Sequence, residues 1–178
     1  LKSELGVEVI FTHSTEEEIF SAEDKKSGEA IEKNDVESIR KLIEERKLGT
    51  NTCDEYGNTA LHYASQNGYL EIIDILLENG AEVNSEEKNK LTPLHAAISN
   101  NHKEIAKKLL GKGANPKARD SSGNSPLHFA AEQNNLELLK LVVGPEVDIN
   151  DINAKNKYDW SVLHSAASGI INKKEKEN

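Results

Sequence analysis

Three stretches of the chain share one apolar spacing. Ile72, Ile73, Leu76 and Leu77 lie at i, i+1, i+4 and i+5. Ile105, Ala106, Leu109 and Leu110 repeat that pattern, as do Leu138, Leu139, Val142 and Val143. This spacing gathers the apolar side chains on one stripe of a helix, a face that needs a neighbour. It predicts helices over 70–77, 103–110 and 136–143. Ahead of each runs a shorter stretch of small residues: Ala64, then Ala96 and Ala97, then Ala130 and Ala131. Ala166 and Ala167 make a fourth. These predict short helices that can approach one another closely. Gly68, Asn101 and Asn134 separate the two helices of each pair, and both residue types tolerate a left-handed backbone. Gly80 and Gly113 are placed to stop two of the longer helices.

The short helices open on a shared hexapeptide. Thr59-Ala60-Leu61-His62-Tyr63-Ala64 is followed by Thr92-Pro93-Leu94-His95-Ala96-Ala97 and Ser125-Pro126-Leu127-His128-Phe129-Ala130. Ser161-Val162-Leu163-His164-Ser165-Ala166 closes the series, and the steps are 33, 33 and 36 residues. A fixed period of this length marks a stacked repeat architecture. The Thr or Ser is an N-cap whose hydroxyl can accept from an orphan amide, worth roughly 1 kcal/mol. Pro93 and Pro126 fall at the first helical position, where no N–H is needed. The His stands three residues after the cap, where its ring can reach back as Glu does in a capping box. Segments such as Asp54-Glu55-Tyr56-Gly57-Asn58 and Asp120-Ser121-Ser122-Gly123-Asn124 carry turn chemistry that fits a protruding finger.

A Thr-Pro-Leu-His-x-Ala motif at a period of 33, a small-residue helix, a Gly-type turn and a Leu-rich second helix resemble the ankyrin repeat. The resemblance covers about residues 50–170. It implies an all-α solenoid of about four to five stacked helix-turn-helix units with β-turn fingers. It also implies binding of other proteins through the finger tips and the inner-helix face. Departures are Ala60 and Val162 in place of Pro, Ser125 and Ser161 in place of Thr, and three extra residues within 144–153. That longer connector, with Asp-Ile-Asn twice, should bulge locally.

The expected organisation is an N-terminal portion over 1–27 and a repeat domain over 28–178. Within the latter, 28–58 is a divergent first repeat, because Val36, Ile39, Leu42 and Ile43 match the apolar face of a second helix. Full repeats span 59–91, 92–124 and 125–160, and 161–178 is a partial one. Thr15 with Glu18 predicts a capped helix to about Lys26, and Leu5, Val7, Val9 and Phe11 predict an extended stretch before it. The fourth unit shows no second helix before its charged tail. The chain opens on Leu1 and lacks Met, as a processed product or excised piece would, and the array is expected to continue in a longer parent.

Composition narrows the function. Charged residues make up 30% of the chain, and no apolar run approaches the ~18 residues of a membrane span. The net charge of −9 argues against a nucleic-acid backbone as partner. Cys53 is the single cysteine, so no intrachain disulfide can form, and nothing basic in sequence flanks it. His62, His95, His128 and His164 lie a full repeat apart, too far to share a metal or a nucleophile. A structural role is expected for them. No phosphate loop, carboxylate pair or zinc spacing is present, so no cofactor, metal or catalytic residue is expected.

The expected activity is non-catalytic binding of a partner protein. Its surface comprises Glu55, Tyr56 and Asn58 on the first finger, and Lys88, Asn89 and Leu91 on the second. Ser121, Ser122 and Asn124 continue it, and Lys157, Tyr158 and Trp160 end it. The inner-helix ends add Gln66, Asn67, Ser99, Asn100, Glu132 and Gln133. Leu91 is a contact candidate if exposed, and Trp160 could brace the long connector. Tyr63 and Phe129 pack between repeats or serve as anchors. The alternative is a targeting segment of a larger enzyme, toxin or secreted effector whose active domain lies elsewhere. The Lys-, Asn- and Ile-rich composition, with the family, suits a bacterial effector in host cytosol. A cytoplasmic monomer without membrane or nucleic-acid partners is the expectation.

Overall fold

The computed structural model describes residues 28–45, 48–145 and 147–176, the last six of these by backbone alone. The expected N-terminal extended stretch and helix, residues 1–27, lie outside the described residues. After a helical turn over 28–32, nine helices follow among the described residues. They are α1 (Val36–Glu44), α2 (Ala60–Asn67), α3 (Leu70–Glu78), α4 (Pro93–Ser99) and α5 (Lys103–Gly111). Then come α6 (Pro126–Glu132), α7 (Leu136–Val142), α8 (Ile149–Asn153) and α9 (Val162–Lys176).

Two rows of helices result. The small-residue helices α2, α4, α6 and α9 pack successively on one another, and α1, α3, α5 and α7 form a second row beside them. Within each repeat α2 packs on α3, α4 on α5 and α6 on α7. The predicted stripes lie in this double layer: Ile72, Ile73, Leu76, Leu109 and Leu138 are essentially inaccessible. Burying each such side chain is worth about 1.5–3 kcal/mol. Leu61, Leu94 and Leu127, the motif leucines, fill the other row, and Ala64, Ala97 and Ala130 let the backbones close in.

The turns between paired helices are left-handed where the sequence allows it. Gly68 has φ 85°, Asn101 62° and Asn134 51°, and Asn34 in the divergent first repeat has 52°. The corresponding position in the last unit is Ile170, a β-branched residue disfavoured in that conformation. The chain does not turn there. The expected short helix without a partner runs on instead as the 15-residue α9.

Outer-row neighbours are tied by ion pairs: Arg40 to Glu71 (3.7 Å), Asp74 to Lys108, and Lys103 to Glu137 (3.1 Å). At the bases of the fingers Asn51 bonds Gly80 O (3.2 Å) and receives Glu82 N–H (2.8 Å). Asn84, 33 residues on, bonds Gly113 O (3.0 Å) and receives Asn115 N–H (2.8 Å). At the next register position stands Lys117, which pairs with Asp151 (2.8 Å) on α8. The three extra residues are thus absorbed by a five-residue helix capped by Asp148, and an ion pair stands where the Asn clamp would be.

Candidate partner-binding surface

Each finger is folded by one acceptor side chain. Asp54 Oδ1 receives the N–H groups of Tyr56 (2.9 Å) and Asn58 (2.8 Å). Glu87 Oε1 does so for Asn89 and Leu91, Asp120 Oδ1 for Ser122 and Asn124, and Asn156 Oδ1 for Tyr158 and Trp160. A backbone bond closes each loop, from Asp54 N to Asn58 O (3.0 Å) and likewise from Glu87, Asp120 and Asn156. One residue per finger is left-handed: Gly57, Lys90, Gly123 and Asp159. At Gly57 a Cβ would also sit 3.0 Å from the Glu87 Cα of the next finger. Sequence reading overlooked the series 54, 87, 120 and 156, although it keeps the repeat period.

Burial of Asp54 raises its pKa, but bonds from Tyr63, Asn58 and Tyr56 outweigh it and hold the carboxyl below its usual value. The Tyr63 hydroxyl donates to Asp54 Oδ2 at 2.6 Å, which with burial pushes the Tyr63 pKa up to about 12. Phe129 meets the His95 ring edge-on at 5.4 Å. Both aromatics therefore act within the stack.

Two of the motif histidines, His62 and His128, join their inner helix to the next finger. Thr59 N–H donates to His62 Nδ1 (3.1 Å), and Thr92 and Ser125 repeat this with His95 (3.1 Å) and His128 (3.3 Å). An amide can only donate, so Nδ1 accepts and the ring proton sits on Nε2. From there it reaches the Leu91 carbonyl in His62 (3.0 Å) and the Trp160 carbonyl in His128 (3.3 Å). The Asn124 carbonyl, in the same register, still draws the His95 pKa upward, but its geometry falls short of a hydrogen bond, leaving Nε2 without a partner. The cap hydroxyls lie 2.9–3.0 Å from Nδ1. The His62 N–H goes to the cap carbonyl (3.0 Å), so the hydroxyl's close contact is the ring. Burial lowers the pKa of all three rings, that of His95 to about 4. His102 reaches from its turn to the Gln66 carbonyl of the preceding repeat (3.0 Å). No group of three His, Cys, Asp or Glu that could hold a metal ion occurs among the described residues.

The expected surface residues divide into two kinds. Asn58 and Asn124 spend their amides on Asp54 and Asp120, Asn67 and Asn100 on Tyr63 O and Ala96 O, and Gln133 on Ser99 O. Asn89 turns its amide to Glu87 (3.3 Å). Leu91 is half-buried and Ser122 and Ser99 are likewise partly covered, all three offering backbone carbonyls to neighbouring repeats. Glu55, Gln66, Ser121, Glu132 and Lys157 are exposed, and among the described residues their side chains form no internal bond. Tyr56, Tyr158 and Trp160 are exposed at 58%, 69% and 45%. Trp160 contributes its backbone to its finger and to His128, and it lines a cleft of about 370 Å³ with Phe129, Tyr158 and Glu132. A smaller cleft of about 150 Å³ lies by Ile31, Leu48 and the exposed Cys53.

Paired helices stacked in two rows, joined by hydrogen-bonded fingers and histidine ties, define a helical-repeat solenoid. The family comparison specifies which. Ankyrin repeats (3 copies) match residues 28–87 and 94–174, and ankyrin repeats (many copies) match 67–110. The chain belongs to the ankyrin-repeat family, whose repeats are protein–protein interaction modules. It is similar to an acyl-CoA-binding domain-containing protein 6 homolog of Dictyostelium discoideum, 45% identical over 56 residues, 32% of this chain and 19% of that one. Palmitoyltransferase akr1 of Schizosaccharomyces pombe is 39% identical over 56 residues, 32% of this chain and 9% of its own. Ankyrin repeat domain-containing protein 49 of Bos taurus is 39% identical over 56 residues, 32% of this chain and 24% of its own. The chain thus spans less than a quarter of the length of each of these relatives. No described helix is long and apolar enough to cross a membrane.

Proposed function

We propose that this chain is a non-catalytic module that holds a partner protein against its finger tips and the adjoining ends of α2, α4 and α6. One observation supports this most directly. The finger backbones are closed by internal bonds, while Tyr56, Ser121, Glu132, Lys157, Tyr158 and Trp160 stay exposed on that side. A preformed row of this kind loses little ordering entropy on association. Large aromatics are the residues from which interface hot spots are made. The relatives' names join repeats of this kind to other activities, in keeping with the repeats selecting a partner while chemistry resides elsewhere.

The experiment is a capture assay with two variant sets. Tyr56→Ala, Ser121→Lys and Tyr158→Ala change the finger side, and Glu104→Lys and Lys140→Glu change the outer row. Capture of a crosslinked partner should fall at least about tenfold with the first set and hold with the second. The opposite pattern defeats the assignment of faces.

A further inference from the structure

The second finger carries a residue that its position does not favour. The chain turns left-handed once in each finger, at Gly57 (φ 88°), Lys90 (60°), Gly123 (83°) and Asp159 (66°). Glycine takes that conformation without penalty and a short polar side chain tolerates it, but a lysine is disfavoured there. Asp159 pairs its carboxylate with Lys155 at 2.8 Å. Lys90 is exposed, and among the described residues its ammonium makes no ion pair or hydrogen bond. Nothing inside the described fold therefore offsets the left-handed lysine. Strain of this kind collects at functional sites, and here it points to the side chain.

Two positions before it stands a second lysine without a carboxylate. Lys88 is exposed, and its Nζ lies 5.7 Å from the centroid of the Tyr56 ring on the first finger, within cation–π range. Acids on the same two fingers are turned elsewhere. Asp54 takes the Tyr63 hydroxyl and the amides of Tyr56 and Asn58, and Glu87 takes the amides of Asn89 and Leu91. Glu55 and Glu86 are exposed, and neither is ion-paired among the described residues. The tip backbone is held from both sides: Lys88 N–H donates to the Tyr56 carbonyl (2.9 Å), and the Asn89 carbonyl receives the Ser121 N–H (2.7 Å). Lys88 and Lys90 thus flank Asn89 on a fixed loop, and two ammonium groups on flexible stems so placed can close on a single carboxylate. The held backbone and the ring contact limit the freedom lost when they do.

We propose that Lys88 and Lys90 anchor a partner protein by one of its aspartate or glutamate side chains, at the tip of the second finger. This rests on the finger side being the partner surface, and adds the anchoring residues and the chemistry they select. The net charge of −9 disfavours a polyanion such as nucleic acid, and Glu55 and Glu86 beside the pair favour one carboxylate over an acidic run.

Short peptides of random sequence are selected by display on the folded chain, and the best binders are titrated by fluorescence anisotropy. They should share an Asp or Glu at one position. Lys88→Gln and Lys90→Gly should each weaken them about three- to fivefold, as loss of an exposed ion pair does. Lys90→Gly should do so while raising Tm, so the loss is not one of folding. Replacing the shared acid by its amide should weaken binding as much, with little further loss in Lys90→Gly, because both changes remove one interaction. Lys107→Gln, at an exposed position of the outer row, removes the same charge and should leave affinity unchanged. Glu86→Gln should tighten binding. Full affinity in Lys90→Gly, an equal loss in Lys107→Gln, binders without a shared acid, or no binders at all overturns the proposal. Binders weakened by Tyr56→Ala and Ser121→Lys but untouched by either lysine change leave the finger-side reading standing and the carboxylate anchor fallen. Binders untouched by every finger change remove both. A short single-stranded DNA that binds as tightly at about 0.15 M salt, and loses as much in Lys90→Gly, makes the ligand a phosphate chain and overturns the partner assignment.

Discussion

The buried motif histidines His62, His95 and His128 trade charge for position. Unfolded, each ring titrates near 6.5, whereas burial holds His95 in the fold at about 4. Between those values the unfolded chain binds a proton that the folded one refuses, so stability rises with pH. Histidine-dependent stability is complete above about pH 6.5 and is lost as pH falls toward 4, by up to roughly 3 kcal/mol for His95 alone. His62 and His128 shift in the same direction. Urea midpoints should drop between pH 7.5 and pH 5, and His95→Gln should flatten that slope. Asp54, held below the usual carboxylate value, loses its contribution only as pH falls through the unfolded value of about 4, below the pH 5 end of that measurement. A second residue-scale expectation concerns Lys90, at φ 60° where fingers one and three have Gly57 and Gly123. A left-handed lysine costs ~1–2 kcal/mol, partly balanced by the greater freedom of an unfolded glycine. Lys90→Gly should therefore stabilise the chain by about 0.5 kcal/mol, read as a small rise in Tm.

Among elements, the paired helices were legible because apolar spacing, caps and left-handed turn residues all agreed. Tyr63 and Phe129 were not, because spacing alone does not say whether an aromatic on a short helix faces a neighbour or solvent. The hydrogen bond from Tyr63 to Asp54 and the edge-on contact of Phe129 with the His95 ring decide it. The length of α9 was legible in principle: Ile170 stands where Gly68, Asn101 and Asn134 turn the chain. Continuing straight carries α9 across the end of α6, and Gly169 permits the crossing. A Cβ there would sit 2.0 Å from the Glu132 carbonyl oxygen, which is backbone and cannot swing aside. Gly169→Ala should lift α9 and cost about 1–3 kcal/mol, as overpacking does, despite alanine's better helix propensity. Thermal unfolding measures the loss, and a shifted Trp160 emission would show that the adjacent finger moves too. An unchanged Tm would mean that the crossing is looser than this geometry.

At the scale of the molecule, stability is a chain of nearest-neighbour interfaces. The motif leucines mark where that chain is strong and where it is open. Leu61, Leu94 and Leu127 are at most 2% exposed, each covered by a following repeat, whereas Leu163 in α9 is 72% exposed. In the inner-helix row α4 packs on both α2 and α6, while α9 packs on α6 alone. The last unit also hangs on a connector tied by the partly exposed Lys117–Asp151 pair, and solvent screening leaves such a pair little stabilising effect. Opening should therefore begin at α9 and the fourth finger and spread inward, because lifting α9 uncovers one side of α6 but breaks no interface of α4. Native-state hydrogen exchange should give the amides of α4 and α5 the highest opening free energies and those of α9 the lowest. Leu94→Ala, which leaves a cavity at a doubly covered interface, should cost about 2–5 kcal/mol and lower protection in α2, α4 and α6 together. Leu163→Ala removes a side chain that already meets solvent and should change protection little. If α9 exchanged as slowly as α4, the stack would be opening as one block, and the difference between its ends would be a matter of shape alone.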